Sequence, residues 1–151
     1  MSNAEFKRNF AKVLEKAGSK AEMLVRAASM ELLKRVIEKS PVGDPTMWKN
    51  NESAPKGYVG GRFKANWNVA VGSIDHGTNA PADKSGDSAM SRGKGIAMSF
   101  PMGAVVFITN SMPYSRKIEY DAWSKQASAG VVRITVMEYQ EIIKQVAAQI
   151  R

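Results

Sequence analysis

The chain has 151 residues and no cysteine, so disulfides and thiolate metal sites are excluded. Its length predicts one domain with a core that needs no covalent staples, and its apolar runs are too short to span a bilayer, so we expect a soluble, cytoplasmic protein. The net charge of +8 favours acidic partners, but the cations are scattered and do not form a docking arm.

The first predicted element is a long amphipathic helix over residues 1–39. Its apolar residues recur at steps of three and four. Ser2 and Glu5 have the spacing of a capping box, and Pro41 marks the end of the helix. A helix of this length spans on the order of 50 Å, more than a domain of this size needs. We therefore expect part of its apolar stripe to serve a neighbouring subunit.

A helical turn and the first strand are predicted over residues 61–71. Apolar residues alternate in Trp67–Val71, which is typical of a half-buried strand. Residues 73–103 are rich in glycine, serine, aspartate and lysine and have no sustained period, apart from a candidate short helical piece near Ser88–Met90. A structureless stretch of about 30 residues is unusual inside a compact domain. We interpret it as a long mobile loop between the first and second strands, which becomes ordered on assembly.

Residues 104–136 are predicted to form a strand, a helical corner and another strand. The β-branched runs Ala104–Thr109 and Val131–Val136 are typical of sheet strands, and Pro113 suits the first turn of the corner helix. A C-terminal helix follows over residues 137–151. The predicted fold class is therefore α+β, with a long N-terminal helix and a C-terminal helix packed on a small, largely antiparallel sheet of three or four strands.

The candidates for catalytic chemistry are weak. His76 is the lone histidine, and although Asp75 precedes it, no nucleophile motif surrounds it. A catalytic triad needs a base that a third group holds in place. The run Gly93-Lys94-Gly95 lacks the spacing and the following serine or threonine of a phosphate-binding loop. We expect no catalytic residue, cofactor or metal site, and hence no enzyme.

A group of basic residues is the candidate nucleic-acid site. Its members are Lys56, Arg62, Lys64, Arg92 and Lys94. Tyr58, Phe63 and Trp67 lie among them in sequence, and interleaved cations and aromatic rings can follow a phosphate backbone while bases stack. The alternative, which we favour, places the aromatic rings in the core and leaves the charges in solvent.

Four segments, taken in chain order, resemble a known family. They are Ser40-Pro41-Val42; Gly61-Arg62-Phe63-Lys64-Ala65-Asn66-Trp67; Ile108-Thr109-Asn110 with Pro113-Tyr114 and Glu119-Tyr120; and Gln126–Val136. The pattern resembles that of the tail-completion or neck proteins of long-tailed, lambda-like bacteriophages, and it covers most of the chain. Among its departures, Gly60-Gly61 replaces the usual Thr-Gly, and Asp121 replaces a glycine.

The resemblance implies a non-enzymatic structural protein at the head-to-tail junction, encoded by a phage or prophage. Such a minor tail component would be made in the host cytoplasm and then built into the virion. Its expected partners are the head–tail connector, the tail terminator, the tail tube and further copies of itself in a ring. DNA is a weaker candidate partner, and no membrane partner is expected.

The resemblance also assigns architectural roles to individual residues. The family-pattern positions are Arg62, Trp67, Asn110, Pro113, Tyr114, Glu119 and Gln126. By this resemblance, Pro113 would start the corner helix and Tyr114 would pack against the sheet. Glu119 and Gln126 would fix the loop that follows.

Overall fold

The computed structural model describes the backbone of residues 3–150 and the side chains of residues 18–150. The helices and strands are α1 (Asn3–Lys39), α2 (Arg62–Ala65), β1 (Trp67–Val71), α3 (Asp87–Ala97), β2 (Val106–Asn110), α4 (Ser115–Tyr120), α5 (Val132–Met137) and α6 (Tyr139–Gln149). Short 3-10 turns lie at Pro45–Met47, Asn51–Ser53 and Lys125–Ala127. The predicted α+β class is confirmed. The capping box expected at Ser2 lies outside the described residues.

Helix α1 has the predicted length and forms one wall of the core. Leu33 is fully buried, and Val36 and Ile37 are nearly so. These side chains belong to the apolar cluster that α1 shares with the sheet and the shorter helices. No helix within residues 3–150 is both long and apolar enough to cross a membrane.

Strands β1 and β2 form an antiparallel pair in which Trp67 lies opposite Asn110. The inward face of β1 carries Trp67 and Val69, both buried in the core. The bounds predicted for the first strand and its alternation are confirmed. The prediction of three or four strands is wrong, because the described residues contain one sheet of two strands.

The segment Val131–Val136, predicted as the last strand, is helical instead. Preferences for strands among valine, isoleucine and threonine depend strongly on context and are easily overridden. Here the Glu119 carboxylate accepts hydrogen bonds from the backbone N–H groups of Val131, Val132 and Arg133, which fixes the first turn of a helix. The tertiary contact therefore decides the local structure.

The predicted mobile loop over residues 73–103 contains helix α3, Asp87–Ala97. The candidate helical piece near Ser88–Met90 lies within it, but the prediction of a loop is wrong for the rest of the helix. The buried residues of α3 are Ala89, Gly93 and Ala97, at steps of four. They form a stripe of small side chains that lets α3 pack closely against α1 and β1. Because alanine and glycine add little hydrophobicity, the stripe gives a weak periodic signal in the sequence.

The remainder of that stretch also contacts the sheet. Asn68 and Thr109 are cross-strand partners on the outer face. The Asn68 side-chain amide donates to the Gly77 carbonyl at 2.7 Å, and the Thr109 hydroxyl donates to the Asp75 carbonyl at 2.9 Å. Residues 75–77 therefore cross the outer face of the sheet instead of forming a free arm.

Helix α6 confirms the predicted C-terminal helix and packs on α1. Ile142 is fully buried. Where α5 meets α6, the Glu138 carboxylate accepts hydrogen bonds from Arg35 and Lys39 of α1, each at 2.8 Å. These charged hydrogen bonds tie the last two helices to the C-terminal end of the first.

Candidate interaction surface

Glu119 holds the junction between α4 and α5. Its side chain is only 12% exposed, and its oxygens lie 2.8–2.9 Å from the backbone nitrogens of Val131, Val132 and Arg133. Burial alone would raise the pKa of the Glu119 carboxyl, but these three donors and the Arg133 side chain lower it overall. Glu119 is thus a fixed anion that caps α5.

Gly130 allows this close approach. Its φ of +87° is in the left-handed region, and a Cβ there would lie 2.6 Å from the Glu119 Oε1 atom. A side chain at this position would be strained and would also collide with the carboxylate. The Glu119 junction therefore depends on a glycine as well as an acid.

Tyr114 connects the core to the surface. It is half-buried, with its ring centre 6.1 Å from that of Phe63 and 5.6 Å from that of Trp123. Burial raises the pKa of the Tyr114 phenol. Tyr114 packs against the core cluster to which Trp67 and Val69 belong. Pro113, however, lies in the turn before α4 and not in the first turn of that helix, so the predicted helix start is wrong.

Trp67 and Asn110 join other elements to the sheet. The Trp67 indole Nε1–H donates to the Ser40 hydroxyl at 2.7 Å, which ties β1 to the end of α1. The Asn110 side-chain amide donates to the Phe63 carbonyl at 2.8 Å, and its oxygen accepts from the Met112 N–H at 3.2 Å. Both family-pattern residues thus have an architectural role.

Gln126 pairs with the backbone of the loop that follows α1. Its side-chain oxygen accepts from the Val42 N–H at 3.1 Å, and its side-chain nitrogen donates to the Val42 carbonyl at 2.8 Å. Gln126 and Glu119 therefore hold two different segments. Arg62, the remaining family-pattern residue, is exposed at the start of α2.

Two of the three aromatic rings in the candidate nucleic-acid site lie in the core, as the favoured alternative predicted. Phe63 and Trp67 are buried there, where no base could stack on them, whereas Tyr58 is 37% exposed. The Arg92 guanidinium donates to the Ala65 carbonyl at 2.7 Å. Four of the five cations are exposed and one is partly exposed: Lys56, Arg62, Arg92 and Lys94, and Lys64.

Other reactive side chains of the described residues do not converge. The Ser111 hydroxyl lies 3.4 Å from His76 Nδ1, longer than a strong hydrogen bond, while the Asp75 carboxylate accepts from the Gly77 N–H. No cluster of three metal-ligating side chains occurs in that part of the chain. The pKa of the Asp83 carboxyl is lowered, chiefly because it accepts a hydrogen bond from the Ser88 N–H in the first turn of α3.

The structure brings together an exposed surface that the sequence did not predict, which we call the α4–α5 surface. It consists of Arg116, Lys117, Tyr120, Trp123, Arg133, Val136 and Met137. Tyr120 is 62% exposed and Trp123 is 60% exposed. The two helices are adjacent because Glu119, next to Tyr120, binds the first turn of α5.

The sequence did not predict the α4–α5 surface because Val131–Val136 was assigned to a strand. In a strand, Val132, Val136 and the intervening Ile134 would share one face. In the helix, Arg133, Val136 and Met137 share a face because they are three or four residues apart. A helical period over residues 131–137 is the sequence signal that would have indicated α5.

No protein-family model, curated protein or solved structure matches the chain.

Proposed function

We propose that this chain is a structural protein of the head-to-tail junction of a long-tailed bacteriophage and that it acts by protein–protein contact, not catalysis. It would complete the neck or the top of the tail so that a DNA-filled head can join. The basis is the resemblance of four sequence segments, together with the way in which those segments meet.

One observation carries the proposal. The four segments are joined to one another by side-chain hydrogen bonds: Trp67 binds Ser40, Asn110 binds the carbonyl of Phe63, Gln126 binds Val42, and Glu119 binds Val131. Residues distant in sequence thus form one connected framework. This is expected if the shared pattern maintains a common architecture.

The proposed role explains two further features. Helix α1 spans 37 residues, about 55 Å at the usual rise, which is long for a domain of this size. In a symmetric ring, part of its apolar stripe would contact the next copy. The α4–α5 surface would remain for a different neighbour, such as a connector, a tail terminator or the tail tube.

Nucleic-acid binding is the alternative. Because Phe63 and Trp67 are buried, the five cations of the candidate site have neither of these rings beside them as a stacking platform. Such a group would bind DNA weakly, with an affinity that falls steeply as salt is added. Titration of labelled single-stranded DNA at low salt measures this directly, and tight binding there would support the alternative.

Deletion of the gene from the phage that encodes it tests the proposed function. Electron microscopy of the lysate should reveal DNA-filled heads and separate tails, and a plasmid-borne copy should restore joined virions. Joined virions in normal number without the gene would contradict the proposal. Absence of filled heads would also contradict it, because that result would place the protein at an earlier step.

A further inference from the structure

The α4–α5 surface presents aromatic rings together with cations. The guanidinium carbons of Arg116 and Arg133 lie 5.9 Å and 5.2 Å from the centre of the Tyr120 ring. The Lys117 ammonium lies 5.7 Å from the centre of the Trp123 ring. Cations at these distances are attracted to the face of the ring. Rings and charges are therefore held in a defined arrangement before any partner arrives.

An exposed apolar strip adjoins this group on α5. Val136 is 62% exposed and Met137 is 81% exposed, and both lie on the helix face of Arg133. Tyrosine, tryptophan, methionine and arginine are the residue types enriched at protein interfaces. A phosphate backbone has no apolar group to cover a valine and a methionine, so the composition fits a protein partner better than a nucleic acid.

The charge of the surface indicates which protein surface fits it. Among residues 18–150, Arg116 and Lys117 form no ion pair with a carboxylate. Glu119 contacts Arg133, but its oxygens are also engaged with the first turn of α5. A second copy that docked through the same face would place arginines against arginines, which is unfavourable.

We infer that the α4–α5 surface is a docking site for a different protein chain that presents acidic side chains around an apolar contact. The partner's carboxylates bind Arg116, Lys117 and Arg133, while its apolar groups cover Tyr120 and Met137. The inference goes beyond the head-to-tail role, because it depends only on the chemistry of this surface and holds wherever the protein works.

A random peptide library displayed on yeast, screened with the purified full chain, tests the inference. Enriched peptides should combine aspartate or glutamate with leucine, phenylalanine or tryptophan. The affinity of an enriched peptide is then measured for three variants, Arg116→Glu, Tyr120→Ala and Met137→Ala. Each should weaken binding by about tenfold or more, as expected for residues central to an interface. Circular dichroism and thermal unfolding confirm that each variant is folded.

Two control variants make the same kinds of substitution on α3, outside the α4–α5 surface. Met98 at the end of α3 is 59% exposed, and Lys94 is exposed on the same helix. Met98→Ala and Lys94→Glu should leave peptide affinity unchanged. If all five variants bind alike, or if no acidic peptide is enriched, the inference is wrong.

Two further measurements distinguish the other occupants. Labelled oligothymidylate is titrated in the same buffer, and sedimentation measures self-association. Oligothymidylate binding that is tighter than peptide binding and is lost in Arg116→Glu would assign the surface to nucleic acid. Self-association that disappears in Met137→Ala would assign it to a second copy. Either result overturns the inference without bearing on the deletion phenotype that tests the head-to-tail role.

Discussion

Two glycines of α3 should respond in opposite directions to the same substitution. Alanine is the better helix former, and replacing glycine with it stabilises an open helical site by about 0.5 to 1 kcal/mol. Gly95 is such a site, since no atom of the described residues outside its own turn lies within 4 Å of the added Cβ. Gly95→Ala should therefore raise the free energy of unfolding.

At Gly93 the added methyl group has no room. Its carbon would lie 2.3 Å from Leu33 Cδ2 and 2.9 Å from Val69 Cγ2, well inside the ordinary contact distance of about 3.5 to 4 Å. Both neighbours are buried in the core, so they cannot swing into solvent. Overpacking of this kind costs about 1 to 3 kcal/mol and should exceed the gain in helix propensity.

Urea unfolding of the two variants measures the difference. We expect Gly93→Ala to be less stable than the wild type by up to about 2.5 kcal/mol once the helix gain is subtracted. Equal stabilisation of both variants would refute the packing of α3 against Leu33. Little effect of either variant would favour the mobile loop that the sequence predicted for this stretch, because such a loop gains nothing from helix propensity.

Charged contacts give three more predictions. Glu119→Ala should lower the free energy of unfolding by about 2 to 4 kcal/mol, because three backbone N–H groups of α5 lose their acceptor, whereas Asp121→Ala, an exposed neighbour, should change it little. The pKa of Glu119 is lowered in the folded state, so its ionised carboxylate contributes fully to stability above the ordinary glutamate pKa of about 4.3. That contribution is lost as the pH falls through the folded pKa. In urea titrations at decreasing pH, the difference in free energy of unfolding between wild type and Glu119→Gln should therefore shrink. Glu138→Gln should cost about 0.5 to 1 kcal/mol through Arg35 and Lys39, and a cost that does not fall in high salt would contradict its ionic origin.

Elements with strong periodic patterns could be predicted from the sequence. The long helix, the strand at Trp67–Val71 and the C-terminal helix each place apolar residues at a regular step, and burial of one face follows directly. The two paired strands followed from the alternation in Trp67–Val71 and from the β-branched run Ala104–Thr109. The strand predicted at Val131–Val136 was wrong, because α5 owes its helical form to Glu119, a residue twelve positions before Val131.

The interaction surface could not be predicted because it depends on that failed element. Tyr120 and Arg133 approach one another only when α5 is a helix capped by Glu119. For the basic patch, the favoured separation of rings from charges followed from the burial preferences of the residue types, even though Phe63 and Lys64 are adjacent in sequence. On α2, Phe63 turns into the core and the adjacent lysine lies outside it.

Reconstitution of infectivity tests whether the protein acts directly in joining heads to tails. An extract from cells infected with the gene-deleted phage should supply filled heads and tails, to which the purified wild-type protein is added. We expect the number of plaque-forming units to rise far above the number in extracts that receive buffer or heat-unfolded protein. An extract in which heads and tails stay separate after folded protein is added would contradict a direct role in joining them.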